Sequence, residues 1–286
     1  MSAALPLALI AITTPLSFAV HVSVLSGHDS SAWSRESACR SSDNLELIKC
    51  NLKVYTQAAS VASSDAKADI LLLPEGYGLA GMPSWSTYYE PLISSIGFNP
   101  CLSPNVTAPQ QTALSCAARE NQIAIATNIF VQFANKSRRI TEIVFDSKGR
   151  AVSIYHKHHL FPSEMLFFKS GPFAPSTFSL LGRRWGVAIC YEGVYPTITG
   201  DYSQFDSLID QGATTLLWSV GGVPSIARLT GGHLAKKFNV SMLVSTLGSS
   251  EVFMRNGTSS FQEITIDGLQ EIGYQGNASV RHLELA

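Results

Sequence analysis

Charge is scarce in this 286-residue chain: Asp, Glu, Lys and Arg make up 14% of it, and 21 acidic against 20 basic residues leave a formal net charge of -1. A surface so poor in excess cation is not built for a phosphate backbone or an anionic leaflet, which excludes nucleic acid and membrane-surface binding as primary functions. No apolar run is long enough to cross a bilayer as a helix, and SVRHLELA carries no hydrophobic tail of the lipid-anchor kind. There is neither an internal repeat nor a low-complexity linker. What is present is 45% hydrophobic residues, enough to bury a large core. The composition therefore implies a globular protein whose partner is neutral or small.

The first residues, MSAALPLALIAITTPLS, hold a short apolar run followed by small polar residues. Residues 1–17 read as a secretory signal peptide, although no Lys or Arg opens them, with cleavage near Ser17, ahead of the strand-like alternation FAVHVSVL. Export is also implied by sequons. Five of the ten asparagines, Asn105, Asn135, Asn239, Asn256 and Asn277, stand in N-x-S/T and are candidate glycosylation sites. The five cysteines are an odd number for an oxidising compartment. Proximity pairs Cys39 with Cys50 and Cys101 with Cys116 as candidate disulfides and leaves Cys190 over, but four cysteines allow three connectivities and geometry decides among them.

Along the chain, helical and strand patterns alternate. Leu45, Ile48, Leu52, Tyr55, Ala59 and Ala62 recur at steps of three and four behind a capping box of Asp43 and Glu46, which predicts an amphipathic helix. ADILLLPE follows, an almost fully apolar run suited to a strand covered on both faces. A helix is expected over 110 to 121, then a strand IAIATNIFVQF, then a hairpin of ITEIVFD and AVSIYHK about Ser147-Lys148-Gly149. RRWGVAIC, TTLLWSVGG and VSMLVSTLG read as further strands, interleaved with helices in TGDYSQFDSLIDQGA and from about Pro224 to Phe238. The fold class is α/β, and residues 18–286 are expected to form one continuous domain.

In α/β sheets chemistry collects beyond the carboxyl ends of the strands. Three polar residues stand at such ends: Glu75 after ADILLLP, Lys157 after AVSIYH and Cys190 after RRWGVAI. Singly, each has an ordinary explanation, as a solvated turn, a surface charge and a small buried hydrophobe. His156, His158 and His159 in YHKHHLF invite a zinc reading, but neighbours on an extended segment point to opposite faces and no distant ligand completes a site. No metal or other cofactor is expected. Together, the three residues supply what an amide hydrolase working through a thiol requires: a nucleophile, a base that takes and returns its proton, and a cation for the tetrahedral oxyanion. A nearby ammonium would also favour the thiolate.

PEGYG at 74 to 78, YHKHHLFPSE at 155 to 164 and GVAICYEGVYP at 186 to 196 resemble, in the same order, the three signature stretches of the nitrilase, or carbon-nitrogen hydrolase, superfamily. FDSKGRAVSIYHKHHLF is most similar to its vanin and biotinidase branch, secreted glycoproteins that include pantetheinase. The resemblance implies a four-layer α-β-β-α sandwich and a metal-free site with Cys190 as nucleophile, Glu75 as general base and acid, and Lys157 as oxyanion cation. It implies Glu164 as the residue that orients Lys157 or substrate, and the backbone N–H of Tyr191 as second oxyanion donor.

The expected activity is hydrolysis of a linear amide of a vitamin conjugate through a Cys thioester, pantetheine first and biocytin second. A secreted binding protein of the same fold is the alternative. Superfamily members often pair through the helix after the nucleophile, here about 201 to 211, so a homodimer enters as an expectation, as does the lack of the vanins' further C-terminal domain. Cys190-Tyr191-Glu192 departs from the Cys-Phe-Asp usual in the branch, at positions expected to line the substrate pocket, and Trp218 is a candidate to pack against the acyl chain.

Overall fold

A computed structural model describes residues 19–27, 39, 43–81, 83–84, 87–222, 224–267 and 278–285. The expectations of a leader over residues 1–17 and of a sequon at Asn277 lie outside the described residues. In chain order the N-terminal half holds β1 (Val20–Gly27), α1 (Asn44–Ser64), β2 (Ile70–Leu72), α2 (Tyr77–Ala80), β3 (Glu90–Pro91), α3 (Pro109–Asn121), β4 (Ala124–Gln132), β5 (Arg138–Phe145) and β6 (Ala151–His156). There follow β7 (Thr177–Leu180), β8 (Arg183–Ile189), α4 (Tyr191–Thr199), α5 (Ser203–Asp210), β9 (Thr215–Ser219), α6 (Pro224–Phe238), β10 (Ser241–Ser245), β11 (Glu251–Phe253), β12 (Gln262–Thr265) and β13 (Ala278–Leu285).

The strands form two sheets. One has eight strands, in the order β12-β13-β1-β2-β4-β5-β6 with β3 paired to β4; the other has five, in the order β11-β10-β9-β8-β7. The alternation of side chains along a strand explains the layering. In β8, β9 and β10 the side chains of Val187, Ile189, Leu217 and Leu243 join a core shared with Leu71, Leu72 and Val24 of the larger sheet. Their neighbours Ala188, Leu216, Trp218, Met242 and Val244 turn the other way, against Phe205, Ala227 and Leu234 of α5 and α6. On the far face of the larger sheet α1 buries Ile48, Leu52, Tyr55, Ala59 and Ala62. The architecture is thus the expected α-β-β-α sandwich.

Local chemistry sets the ends of these elements. Asp43 caps α1 by accepting from the backbone N–H of Leu45 and Glu46, 2.7 and 3.1 Å away, while the Glu46 carboxylate takes the Lys49 ammonium instead of closing a full capping box. The disulfides are Cys39–Cys50 and Cys101–Cys116, and Cys190 is free. Two helices were not legible, the short α2 and α4, which begins directly after Cys190 and contains Pro196. Proline normally breaks a helix, so the stretch reads as a loop and the helix expected at about 201 to 211 reads as the first after Cys190. It is the second.

Candidate active site

Parallel pairing of β2 with β4, and antiparallel pairing through β5 to β6, make β2 and β6 run the same way. Their carboxyl ends, which carry Glu75 and Lys157, therefore lie on one edge of the larger sheet. Cys190 comes from the end of β8 in the smaller sheet. The structure brings all three together with Glu164, which stands on a single 3₁₀ turn, Glu164–Leu166.

Lys157 is the hub. Its Nζ donates to Glu75 Oε1 at 2.8 Å and to Glu164 Oε1 at 2.7 Å, with all three side chains buried. Glu164 is itself held, its Oε1 accepting from the Tyr77 hydroxyl at 2.9 Å and its Oε2 from the Phe161 N–H at 2.7 Å. An ammonium has three protons; two are engaged here, and among the described residues the third has no acceptor. Burial by itself would weaken the Lys157 ammonium, but Glu75, Cys190 and Glu164 more than reverse this and hold it above the ordinary lysine range.

Glu75 is raised to about 7, first by burial, against the pull of Lys157. Its Oε2 has no hydrogen-bond partner among the described residues. That oxygen lies against Gly221, where an added Cβ would sit 2.5 Å from it. The Cys190 thiol is pushed well up by burial and then by Glu75, which outweigh Lys157 and the Gly221 N–H. The ammonium that would favour the thiolate is already shared by two carboxylates, so its pull on the thiol is outweighed.

Cys190 has φ 44° and ψ -107°, a conformation L-residues rarely adopt. Its N–H donates to Ser219 O at 2.7 Å, and its carbonyl accepts from Gly193 N–H and from the Trp218 indole N–H, the latter at 2.9 Å. This sharp strand-to-helix turn leaves Tyr191 as the first residue of α4, where the backbone N–H has no acceptor among the described residues.

Two expectations about the pocket are overturned. Trp218 is fully buried, packs over Gly193 and holds the Cys190 carbonyl, so it supports the turn and does not line a pocket. Glu192 is 1% exposed and does not face substrate either. Its Oε1 accepts from the Tyr155 hydroxyl, His158 N–H and His159 N–H at 2.7, 2.7 and 3.3 Å, and its Oε2 from Ile189 N–H at 2.8 Å. It ties the segment after Lys157 to the helix after Cys190. Tyr191 does line a cavity, with Phe161. The three histidines find separate partners: His156 meets Thr141, His158 the Gly171 carbonyl, and His159 Gln204 and the Tyr195 ring. Of the sequons, Asn105, Asn135, Asn239 and Asn256 are all exposed.

Two sheets sandwiched between helices, with a buried Glu-Lys-Glu cluster against a strained cysteine at a strand-to-helix turn, define a thiol-bearing α-β-β-α protein. The chain belongs to the carbon-nitrogen hydrolase family, which matches residues 37–206. It is 30% identical over 180 residues to the pantetheinase of Canis lupus familiaris, covering 54% of this chain and 34% of that protein. It is 31% identical over 161 residues to the biotinidase of Bos taurus, covering 49% of this chain and 29% of that one. The match thus spans about a third of these curated relatives' length. The fold is shared with an amidase from Nesterenkonia sp., at a TM-score of 0.65 and 20% identity over 92% of this chain and 90% of that one.

Proposed function

We propose that the chain is a secreted thiol amidohydrolase that cleaves a linear amide through a Cys190 thioester. The observation that carries this reading is the Lys157 ammonium, buried between Glu75 and Glu164 with one N–H to spare, in the same site as Cys190. Glu75 takes the Cys190 proton as Sγ bonds to the amide carbonyl carbon, and the resulting oxyanion accepts from the third Lys157 N–H and from the Tyr191 N–H. Collapse breaks the carbon-nitrogen bond, and Glu75 returns the proton to the leaving amine. Water then attacks the thioester, Glu75 takes a proton from it, the thiolate leaves, and the acid is released as Cys190 is reprotonated. Glu164 orients Lys157.

The similarity to pantetheinase and biotinidase supports a vitamin conjugate, pantetheine before biocytin. The two disulfides and the exposed sequons support export, with residues 1–17 as leader and 18–286 as one hydrolase domain. The test is to incubate the purified protein with pantetheine, biocytin and simple amides, identify the acid released, and trap the acyl-enzyme by intact mass. Cys190→Ala is expected to show no adduct and no turnover, and Lys157→Ala to lose ~10²–10³ in kcat, the usual cost of one oxyanion donor. Turnover by Cys190→Ala sinks the reading.

A further inference from the structure

A cavity of about 170 Å³ adjoins Cys190 between α4 and α6, walled by Phe161, Tyr191, Val194, Ile198, Val220 and Ile226. None of its described lining residues is charged, and Glu75, Lys157 and Glu164 are not among them. An amide carbonyl at Sγ has three directions to fill. Its oxygen faces Lys157, and its nitrogen faces Glu75, which must protonate it. Both groups are fully buried and neither lines the cavity, which leaves the cavity as the space for the acyl substituent. Its walls offer methyl groups and ring faces, so a hydroxyl or amide entering it would lose its hydrogen bonds to water without replacement. The volume is below the ~300–1,000 Å³ of pockets that enclose a drug-sized ligand.

Resting on the reading of Cys190 as the nucleophile, we propose that the acyl half of the substrate begins as a short unbranched hydrocarbon chain seated in this cavity. The test uses acetamide, butyramide, hexanamide and 4-hydroxybutyramide, measured by calorimetry on the Cys190→Ala protein and by turnover on the unsubstituted protein. Affinity is expected to rise about fourfold per added methylene, the factor that burial of one CH₂ confers, with 4-hydroxybutyramide binding more weakly than butyramide. Ile226→Asp should collapse the hexanamide-to-acetamide ratio. Equal affinities along the series, or tighter binding of the hydroxylated amide, overturn the proposal even if every amide is turned over. Absence of any turnover or acyl-enzyme overturns the hydrolase reading, while length-dependent binding to Cys190→Ala would still uphold the cavity's preference.

A separate set of buried groups braces Glu75 from behind. Ser219 Oγ lies 3.0 Å from the Leu73 carbonyl and 3.0 Å from Glu142 Oε1, and a hydroxyl has one proton. In both contacts Ser219 is placed as the donor; a protonated Glu142 Oε1 would donate to Ser219 instead and leave the hydroxyl proton to the Leu73 carbonyl. Glu142 Oε2 accepts from Asn128 Nδ2 at 3.0 Å, and Asn128 Oδ1 accepts from the Gly76 N–H at 2.9 Å. Leu73 and Gly76 flank Pro74-Glu75.

We infer that Glu142 is a positioning residue for Glu75, acting in its protonated form to fix the backbone on both sides of it. Burial first, with Glu75 and Glu192 adding and Asn128 and Ser219 opposing, raises Glu142 to about 8. The other ionisable groups nearby are Tyr155, opposite it on β6, and Lys157 and Cys190 beyond Glu75. Ionisation above about 8 would turn Ser219 away from Leu73, so kcat/KM is expected to fall on that side. Glu142→Gln, which keeps a donor for Ser219 and an acceptor for Asn128, should retain activity and lose the alkaline fall; Glu142→Leu should lose about 10²-fold, as small misplacements of reacting groups do. Infrared difference spectra should show a protonated carboxyl at pH 7 that is absent in Glu142→Gln, a readout independent of turnover. An ionised Glu142 at pH 7, or full activity in Glu142→Leu, overturns the inference.

Discussion

Gly221 has no room for a side chain. A Cβ there would sit 2.4 Å from the Tyr77 ring and 2.5 Å from Glu75 Oε2. The carboxylate is the more mobile of the two, and it is the proposed base. Gly221→Ala is therefore expected to lower kcat/KM about 10²-fold, the scale of a misplaced reacting group, while circular dichroism shows an unchanged fold; wild-type activity would show that the close approach does not matter. Nothing in TTLLWSVGG marks this glycine, because the atoms that crowd it come from residues more than 140 positions earlier. Glu75, Lys157 and Cys190 were legible because each stands at the end of a strand readable from the sequence, apolar before Glu75 and Cys190 and alternating before Lys157, and the chemistry of a thiol hydrolase asks for those three residue types. Glu142 was not. In ITEIVFD it reads as the solvent face of an alternating strand, but β5 is covered on both faces and the residue is 1% exposed.

Among the elements, α4 depends most on a single side chain. Glu192 receives four donors, three of them from the segment that ends β6 and starts the Lys157 loop, so it couples the position of the ammonium to that of the helix that follows Cys190. Glu192→Ala leaves those donors buried without an acceptor and is expected to cost about 3 kcal/mol or more, read as a lower urea midpoint, with Glu192→Gln costing less. An unchanged midpoint in the alanine variant would refute the coupling. The helices that obeyed the simple rules were read correctly: α1 from its apolar spacing and Asp43, α3 from its pattern, and α6 from Pro224 to Phe238. Helix α4 defied them because its first turn is anchored by tertiary contacts that outweigh Pro196. Trp218 was misassigned for a related reason: its place near a strand end suggested a pocket, and only the packing over Gly193 reveals a support.

For the whole molecule, the consequence of so many buried carboxyls is a pH-dependent stability. Burial raises Glu75 and Glu90 to about 7 and Glu142 to about 8, and it lowers His156 to about 4. Between pH 5 and 6.5 the folded protein keeps three carboxyl protons that the unfolded chain has released, and lacks one imidazole proton that the unfolded chain holds. The folded state thus binds about two more protons, and stability must fall as pH rises, by ~1.4 kcal/mol per unit for each net proton. The urea midpoint is expected to be higher at pH 5 than at pH 7; a rise between those values would refute the protonation pattern.

The two sheets meet largely through hydrocarbon, which is cohesive but indifferent to small sliding displacements. Ser219 interrupts that contact: it belongs to the smaller sheet and grips Leu73 and Glu142 of the larger one with directional bonds. Because Glu75 and Lys157 ride on one sheet and Cys190 on the other, reactivity becomes a matter of alignment between two rigid slabs, and buried hydroxyls, Ser219 near the site and Ser245 donating across to the Leu25 carbonyl, serve as the dowels that register them.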